Sequence, residues 1–257
     1  MQPLEITVQA AGTPEELVSN IKSALGRGLP ELTLAPIKHD GTLVLVASGW
    51  SMPNFIAEIK AHKAAGKPIV AIKAAHDFLC DNGVIPDMWV NLDPRDRTNG
   101  IQKANDTTLY LVASRCPPVT FDYLEGKKVM LWHSWAEGPE YDAIGPGKLA
   151  VGGGTTSGLR AINIGWCLGF RKFIMYGYDS CNRADGVKRF TGDMTGNTVD
   201  VWVGGPTGKK FTCNMAMAQQ ANEFQKLFEV MGDITLDVKG PGLIAEIMRV
   251  REERIAA

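Results

Sequence analysis

The chain has 257 residues, 45% hydrophobic and 21% charged, with a formal charge of −1. That length supports a substantial core, and the near-neutral charge excludes broad electrostatic attraction to nucleic acid or to an anionic membrane surface. No apolar run reaches the length of a membrane span, and the opening MQPLEITVQA lacks the basic-then-apolar layout of a secretory leader.

Thr13-Pro14-Glu15-Glu16 reads as a helix N-cap, a first-position proline and a capping-box glutamate. Leu17, Ile21 and Leu25 then fall at helical spacing, up to Gly26–Gly28. Glu31–His39 reads as an extended connector, so residues 1–40 form an N-terminal helix and connector ahead of a main unit over 41–257. Thr42–Ala47 is a buried strand. It stops at Ser48-Gly49-Trp50-Ser51, and Pro53 opens a helix. Strands are predicted at Pro68–Lys73, Met88–Asn91, Thr108–Ala113, Lys128–Leu131 and Phe173–Tyr176, with Trp132, His133 and Trp135 in a loop. Near-continuous apolar strands alternating with helices predict an α/β, Rossmann-like, mostly parallel sheet with helices on both faces. Residues 182–210 break the rhythm as a polar excursion. It holds a late hairpin, Val199–Val203 against Lys210–Cys213, and is long enough to act as a lid. Met215–Val230 is a helix, Ile234–Val238 a last strand and Pro241–Arg249 a C-terminal helix.

Five scattered cysteines form no CxxC pair, and four histidines show no metal-ligand spacing. A reducing, cytoplasmic setting is therefore expected rather than a disulfide framework or a structural zinc site.

Two loops stand out. Gly152-Gly153-Gly154-Thr155-Thr156-Ser157 precedes an apolar helix. Glycines allow close backbone approach, hydroxyls add donors, and a helix N-terminus favours an anion. The alternative is a glycine-rich turn before a buried helix. Ser48, Gly49 and Ser51 form a second strand-to-helix loop of the kind that binds nucleotides, or an ordinary turn. Acidic residues follow two strands. Asp93 faces either a phosphate across Mg²⁺ or a turn before Pro94. Asp179 is either a ligand contact or a cap. Asp87, at the entrance of the strand that Asp93 leaves, is structural. His133 is a base, a ligand contact or a packed side chain. Lys188, Arg189, Lys209 and Lys210 either close over phosphate charge or stay solvated.

Three segments together resemble the MptE-like, 6-hydroxymethylpterin diphosphokinase-like family. They are Val46–Ser51, Asn82-Gly83-Val84-Ile85-Pro86-Asp87-Met88-Trp89-Val90-Asn91-Leu92-Asp93, and Gly152–Gly158 with Leu168-Gly169-Phe170 and Gly177-Tyr178-Asp179. The resemblance spans Leu43 to about Ile247 and fits bacterial or phage-type members best. It implies a Rossmann-like fold and, in archaeal members, Mg²⁺-dependent transfer of diphosphate from ATP to a pterin hydroxymethyl group. This chain departs from those enzymes. Trp50 replaces a small residue or proline, Pro94-Arg95 replaces Asp-Gly after Asp93, and no His-Ala-His-like element appears. The loops are also similar to those of a sialyltransferase-like group that uses a cytidine nucleotide sugar.

The first expectation is thus a Mg²⁺-dependent phosphoryl or diphosphoryl transferase using ATP or another nucleotide. Asp93 would hold the metal, with His133 as a second catalytic residue. Ser48, Gly49, Ser51, Gly152, Gly153, Gly154, Thr155, Thr156, Ser157 and Asp179 would bind the nucleotide. The alternatives are glycosyl transfer, with His133 as base or leaving-group stabiliser, and a non-catalytic nucleotide-binding or assembly protein. The expected partners are a nucleotide and an unidentified acceptor, with no nucleic acid and no membrane. The oligomeric state stays open.

Overall fold

The structure, a computed structural model, describes residues 11–191 and 200–256. The opening ten residues and the 192–199 stretch of the excursion lie outside the described residues. Eight strands form one sheet: β1 (Thr42–Val46), β2 (Ile69–Ile72), β3 (Met88–Asn91), β4 (Leu109–Ala113), β5 (Lys128–Ser134), β6 (Ala150–Val151), β7 (Lys172–Tyr176) and β10 (Thr235–Val238). Their order is β10-β7-β1-β2-β3-β4-β5-β6, and every pairing in it is parallel. The strands pair successively from β1 to β6, and the chain then returns to the other side of β1 to add β7 and β10. The order therefore reverses between β1 and β7, the switch point at which open α/β sheets bind ligands.

The sheet forms because its central strands β1 to β4 are buried along almost their whole length and rich in Val, Ile, Leu and aromatics. Trp89, Tyr110, Trp132 and Tyr176 are fully buried. A buried indole requires an acceptor; Trp89 Nε1 donates to the Lys73 carbonyl and Trp132 Nε1 to that of Leu111. Among the described residues, eight α-helices surround the sheet: α1 (Pro14–Leu25), α2 (Ile56–Ala64), α3 (Ala75–Asp81), α4 (Pro118–Tyr123), α5 (Pro139–Ile144), α6 (Ser157–Cys167), α7 (Met215–Val230) and α8 (Leu243–Ala256). The predicted cap of α1 is present, with Thr13 Oγ1 accepting from Glu16 N and Glu16 Oε2 accepting from Thr13 N.

The hairpin is present as β8 (Asp200–Gly204) antiparallel to β9 (Lys210–Asn214), with Trp202 opposite Thr212; Val199 lies outside the described residues. Two boundaries differ from the sequence expectation. Pro53 sits in a 3-10 turn, Met52–Phe55, and the α-helix starts only at Ile56. Strand β5 runs on to Ser134, so Trp132 and His133 are strand residues, not loop residues. The polar His133 and Ser134 end the apolar run in sequence, but both pair with β6.

Candidate functional site

A cavity of about 540 Å³ lies over the carboxyl ends of the sheet. It is lined by residues that follow β1 (Ser48, Gly49), β2 (Lys73), β3 (Leu92–Arg95), β4 (Arg115), β5 (Trp135, Ala136) and β7 (Gly177–Ser180). The first turn of α6 and residues Ala216, Met217 and Gln220 of α7 complete it. From β7 to β5 is five strand spacings, or roughly 24 Å. Its volume is in the range of small-molecule sites. Ser48, Gly49, Asp93, Thr155, Thr156, Ser157 and Asp179 are thus brought to one cavity.

Asp93 is almost fully enclosed, its side chain 2% exposed. Its Oδ1 accepts from Arg95 Nε (2.8 Å) and Arg95 N (3.2 Å). Its Oδ2 accepts from Lys73 Nζ (2.8 Å), Arg95 Nη2 (2.9 Å) and Arg97 Nε (2.9 Å). Burial pushes the carboxyl up, but Arg95, Lys73 and Arg97 together hold it well below the usual carboxylate range. A carboxylate offers about four lone-pair positions, and five donors already fill them. A Mg²⁺ ion on Asp93 would have to displace an arginine or the lysine, so the expected metal role does not fit this donor set. Asp93 is the counter-ion of a cationic cluster. Among the described residues no group of three or more His, Cys, Asp and Glu gathers elsewhere to hold a metal. Asp87 is structural, accepting from Lys63 Nζ and Ile69 N at the entrance of β3.

The switch point is closed by backbone approach. A Cβ on Gly49 would sit 2.3 Å from both Asp179 Oδ2 and the Gly177 carbonyl, and one on Gly242 would meet the Asp179 backbone at 2.5 Å. Asp179 Oδ2 accepts from Ser51 N at 3.0 Å, and the Asp179 carbonyl accepts from Leu243 N at 2.8 Å. Asp179 therefore ties the β1 loop, the β7 loop and the start of α8 together. Burial pushes its carboxyl above the ordinary range, against the Ser51 hydrogen bonds. Ser51 is fully buried and does not line the cavity; it serves the site through this bond.

The glycines of the second loop also lie outside the lining. A Cβ on Gly153 would collide with the Asn163 side chain, and one on Gly154 would meet Leu159 at 2.6 Å; both adopt φ near +97°. Gly153 and Gly154 turn the chain tightly into α6, and none of Gly152, Gly153 and Gly154 lines the cavity where phosphate contact was expected. The hydroxyl residues after them do reach the cavity. Thr155 N and Oγ1 donate to Glu223 Oε2. Thr156 caps α6 and accepts from Gln220 Nε2, and Ser157 Oγ accepts from Leu92 N. The first-turn N–H groups of Ser157 and Gly158 have no partner within the helix.

His133 does not line the cavity. Its ring lies buried between Ser114 Oγ (3.0 Å) and Glu31 Oε2 (3.2 Å), and burial lowers its pKa against the pull of Glu31. The expected base or leaving-group role is corrected to a packed side chain, because the extension of β5 carries it into the sheet.

Sequence reading undervalued the cations. Lys73, Arg95, Arg115, Arg160, Lys188 and Arg189 line the cavity, against Asp93, Asp179 and Glu140. Arg160 hides in an apolar helix, its guanidinium donating to the Val151 and Trp135 carbonyls. Burial and the neighbouring Arg115 lower its pKa to about 10. The residues Lys73 (φ 50°) and Ser180 (φ 47°) are the non-glycine residues in the left-handed region among those described, and both line the cavity. Such conformations cost about 1–3 kcal/mol and collect at functional sites.

No curated protein matches the chain. In structure the chain is similar to the MAf glycosyltransferase from Magnetospirillum magneticum AMB-1, with a TM-score of 0.66, 15% identity, and coverage of 97% of this chain and 42% of that one. The chain thus spans less than half of that protein's length, and the likeness establishes a shared fold. A profile of the 6-hydroxymethylpterin diphosphokinase MptE-like family matches residues 15–185, two thirds of the sequence and the whole stretch from α1 past the switch point, so the chain belongs to the MptE-like family.

Proposed function

We propose that this protein holds the phosphate of a nucleotide sugar in the cavity and transfers the glycosyl group to an acceptor without a metal ion. The observation that carries this reading is the charge balance of the site. Lys73, Arg95, Arg115, Arg160, Lys188 and Arg189 line the cavity against Asp93, Asp179 and Glu140, Lys188 pairs outward with Asp200, and the most central carboxylate, Asp93, is already saturated by Lys73, Arg95 and Arg97. Such a cavity neutralises a phosphate by itself. The Thr156 and Ser157 hydroxyls, which only accept within the protein, and the α6 N-terminus would bind phosphate oxygens. Lys73, Arg95, Lys188 and Arg189 would stabilise negative charge developing on the departing phosphate. The glycosyltransferase of similar fold supports the reading by analogy of fold alone.

Diphosphoryl transfer from ATP is the second reading, favoured by the family to which the chain belongs. It requires a cation across the triphosphate, and Asp93 has no free lone pair to hold one. Calorimetry with CMP, a cytidine nucleotide sugar and ATP, each with EDTA or with Mg²⁺, separates the two. CMP and the nucleotide sugar are expected to bind equally in both conditions. Tight ATP binding that vanishes with EDTA, alongside no binding of CMP, would replace this reading with the second.

A further inference from the structure

We propose that the β4–β5 end of the cavity is a separate subsite that takes an acidic pyranose, its carboxylate or phosphate on Arg115 and its ring on Trp135. The inference rests on the reading above only in giving the nucleotide to the opposite, switch-point end.

Arg115 is held at its backbone, where its carbonyl accepts from Asn20 Nδ2 of α1 at 3.2 Å. Its side chain is 16% exposed, and its nearest carboxylate, Glu140, is 3.7 Å away, an ion pair too long for a hydrogen bond. Among the described residues its guanidinium makes no hydrogen bond, and its buried Nε has no partner. Enclosed arginines ordinarily satisfy their donors. Arg160 beside it also has an unpartnered Nε, but both its terminal nitrogens are committed to carbonyls, so Arg115 is the guanidinium whose terminal nitrogens are left to receive an anion. A guanidinium fork matches carboxylate and phosphate oxygens alike.

The adjoining wall is aromatic. Trp135 lines the cavity yet remains 51% exposed, and it is braced edge-on by Tyr141 with ring centroids 5.5 Å apart. A half-exposed indole held by a neighbouring ring offers an apolar, electron-rich surface of the kind on which the polarised C–H bonds of a sugar ring stack. Glu140, beside Arg115, is placed to accept from hydroxyls. A cation, a flat apolar face and an acceptor at one end of the cavity fit a ring that is apolar on one face and carries one anionic group. Ser48 and Gly49, after β1, lie three strands from β4 and four from β5 and leave the switch-point end to a second anion.

The test is calorimetry on the full chain with D-glucuronate, D-glucose 6-phosphate and D-glucose, each with and without saturating CMP. The expected result is binding of at least one acidic sugar about tenfold or more tighter than glucose, undiminished by CMP. The preferred acid tells carboxylate from phosphate. Arg115→Gln should remove that preference while CMP affinity stays within about twofold, and Arg115→Lys should restore part of it. Trp135→Ala, at an exposed position, should weaken acidic sugars several-fold without altering the fold. Acidic sugars no tighter than glucose, or displaced by CMP, or indifferent to Arg115→Gln, would overturn the subsite. CMP failing to bind while acidic sugars do would instead overturn the nucleotide reading and leave the subsite standing.

Discussion

The turns after β3 and β7 each carry one buried aspartate at the ligand edge of the sheet, and the two behave in opposite ways. Asp93 and Asp179 are 4% and 3% exposed. Around Asp93 the chain gathers Lys73, Arg95 and Arg97, and the carboxyl is held ionised. Around Asp179 it gathers glycines and one N–H group, and burial pushes the carboxyl towards its neutral form. Equal burial therefore says little about a buried acid until its counter-ions are counted. One aspartate anchors charge for the cavity, and the other anchors backbone.

The sharpest way to break this contrast is Asp93→Ala. It would leave three cations facing one another, all of them partly exposed, and is expected to cost about 3 kcal/mol, at the lower end for a broken buried pair. Urea unfolding checks it. A loss below 1 kcal/mol would mean that the cluster is solvated and Asp93 free for other work. Gly49→Ala is next. The added methyl has no room against Asp179 and Gly177, and overpacking of this kind costs about 1–3 kcal/mol. Gly152→Ala has open space around it and is expected to stay within about 0.5 kcal/mol. Equal effects in the two glycine loops would undo the account of both.

The pH dependence sharpens the contrast further. A carboxyl whose folded pKa is raised favours folding below its unfolded pKa, and that contribution is lost as pH rises through the folded value. Asp179→Asn can still accept from Ser51 N, so relative to wild type it should gain stability as pH rises above the ordinary carboxylate range. Asp93 has the opposite sign. Its contribution is present above the unfolded pKa and is lost only as pH falls through its depressed folded value. Thermal melts of wild type and Asp179→Asn across that range decide the point, and parallel curves would remove the raised carboxyl. The smallest expected effect is that of metal. EDTA should change nucleotide-sugar affinity less than twofold, as read by calorimetry, because Asp93 has no position left for a cation.

The sheet was legible because a parallel strand buried on both faces leaves a run of apolar residues, and β1, β2, β3, β4 and β7 all do. The cavity's location followed, since a ligand edge is fixed once strand direction is known. The roles of its residues were less legible. Asp93 meets Lys73 from the neighbouring strand and Arg95 and Arg97 from its own turn, and only the folded register brings the three together. Arg160 was masked by the apolar helix around it. His133 looked like a loop residue because polarity, not pairing, ended the run. The glycines of 152–154 were visible, but which atoms fill the space above them depends on Asn163 and Leu159 returning from α6.

One bond at the switch point has a kinetic meaning. The Asp179 carbonyl receives its hydrogen bond from Leu243 N, 64 residues further along the chain, and Gly242 seats against the same backbone. Contacts of such separation form late, because the intervening loop must first be closed. On the ribosome, β1 to β7 have emerged before residue 243 appears, yet the turn that joins the β1 and β7 loops lacks its last fastener until then. The nascent chain therefore pairs β1 to β7 before the cavity is complete, and its unpaired β7 edge waits for β10 during that interval.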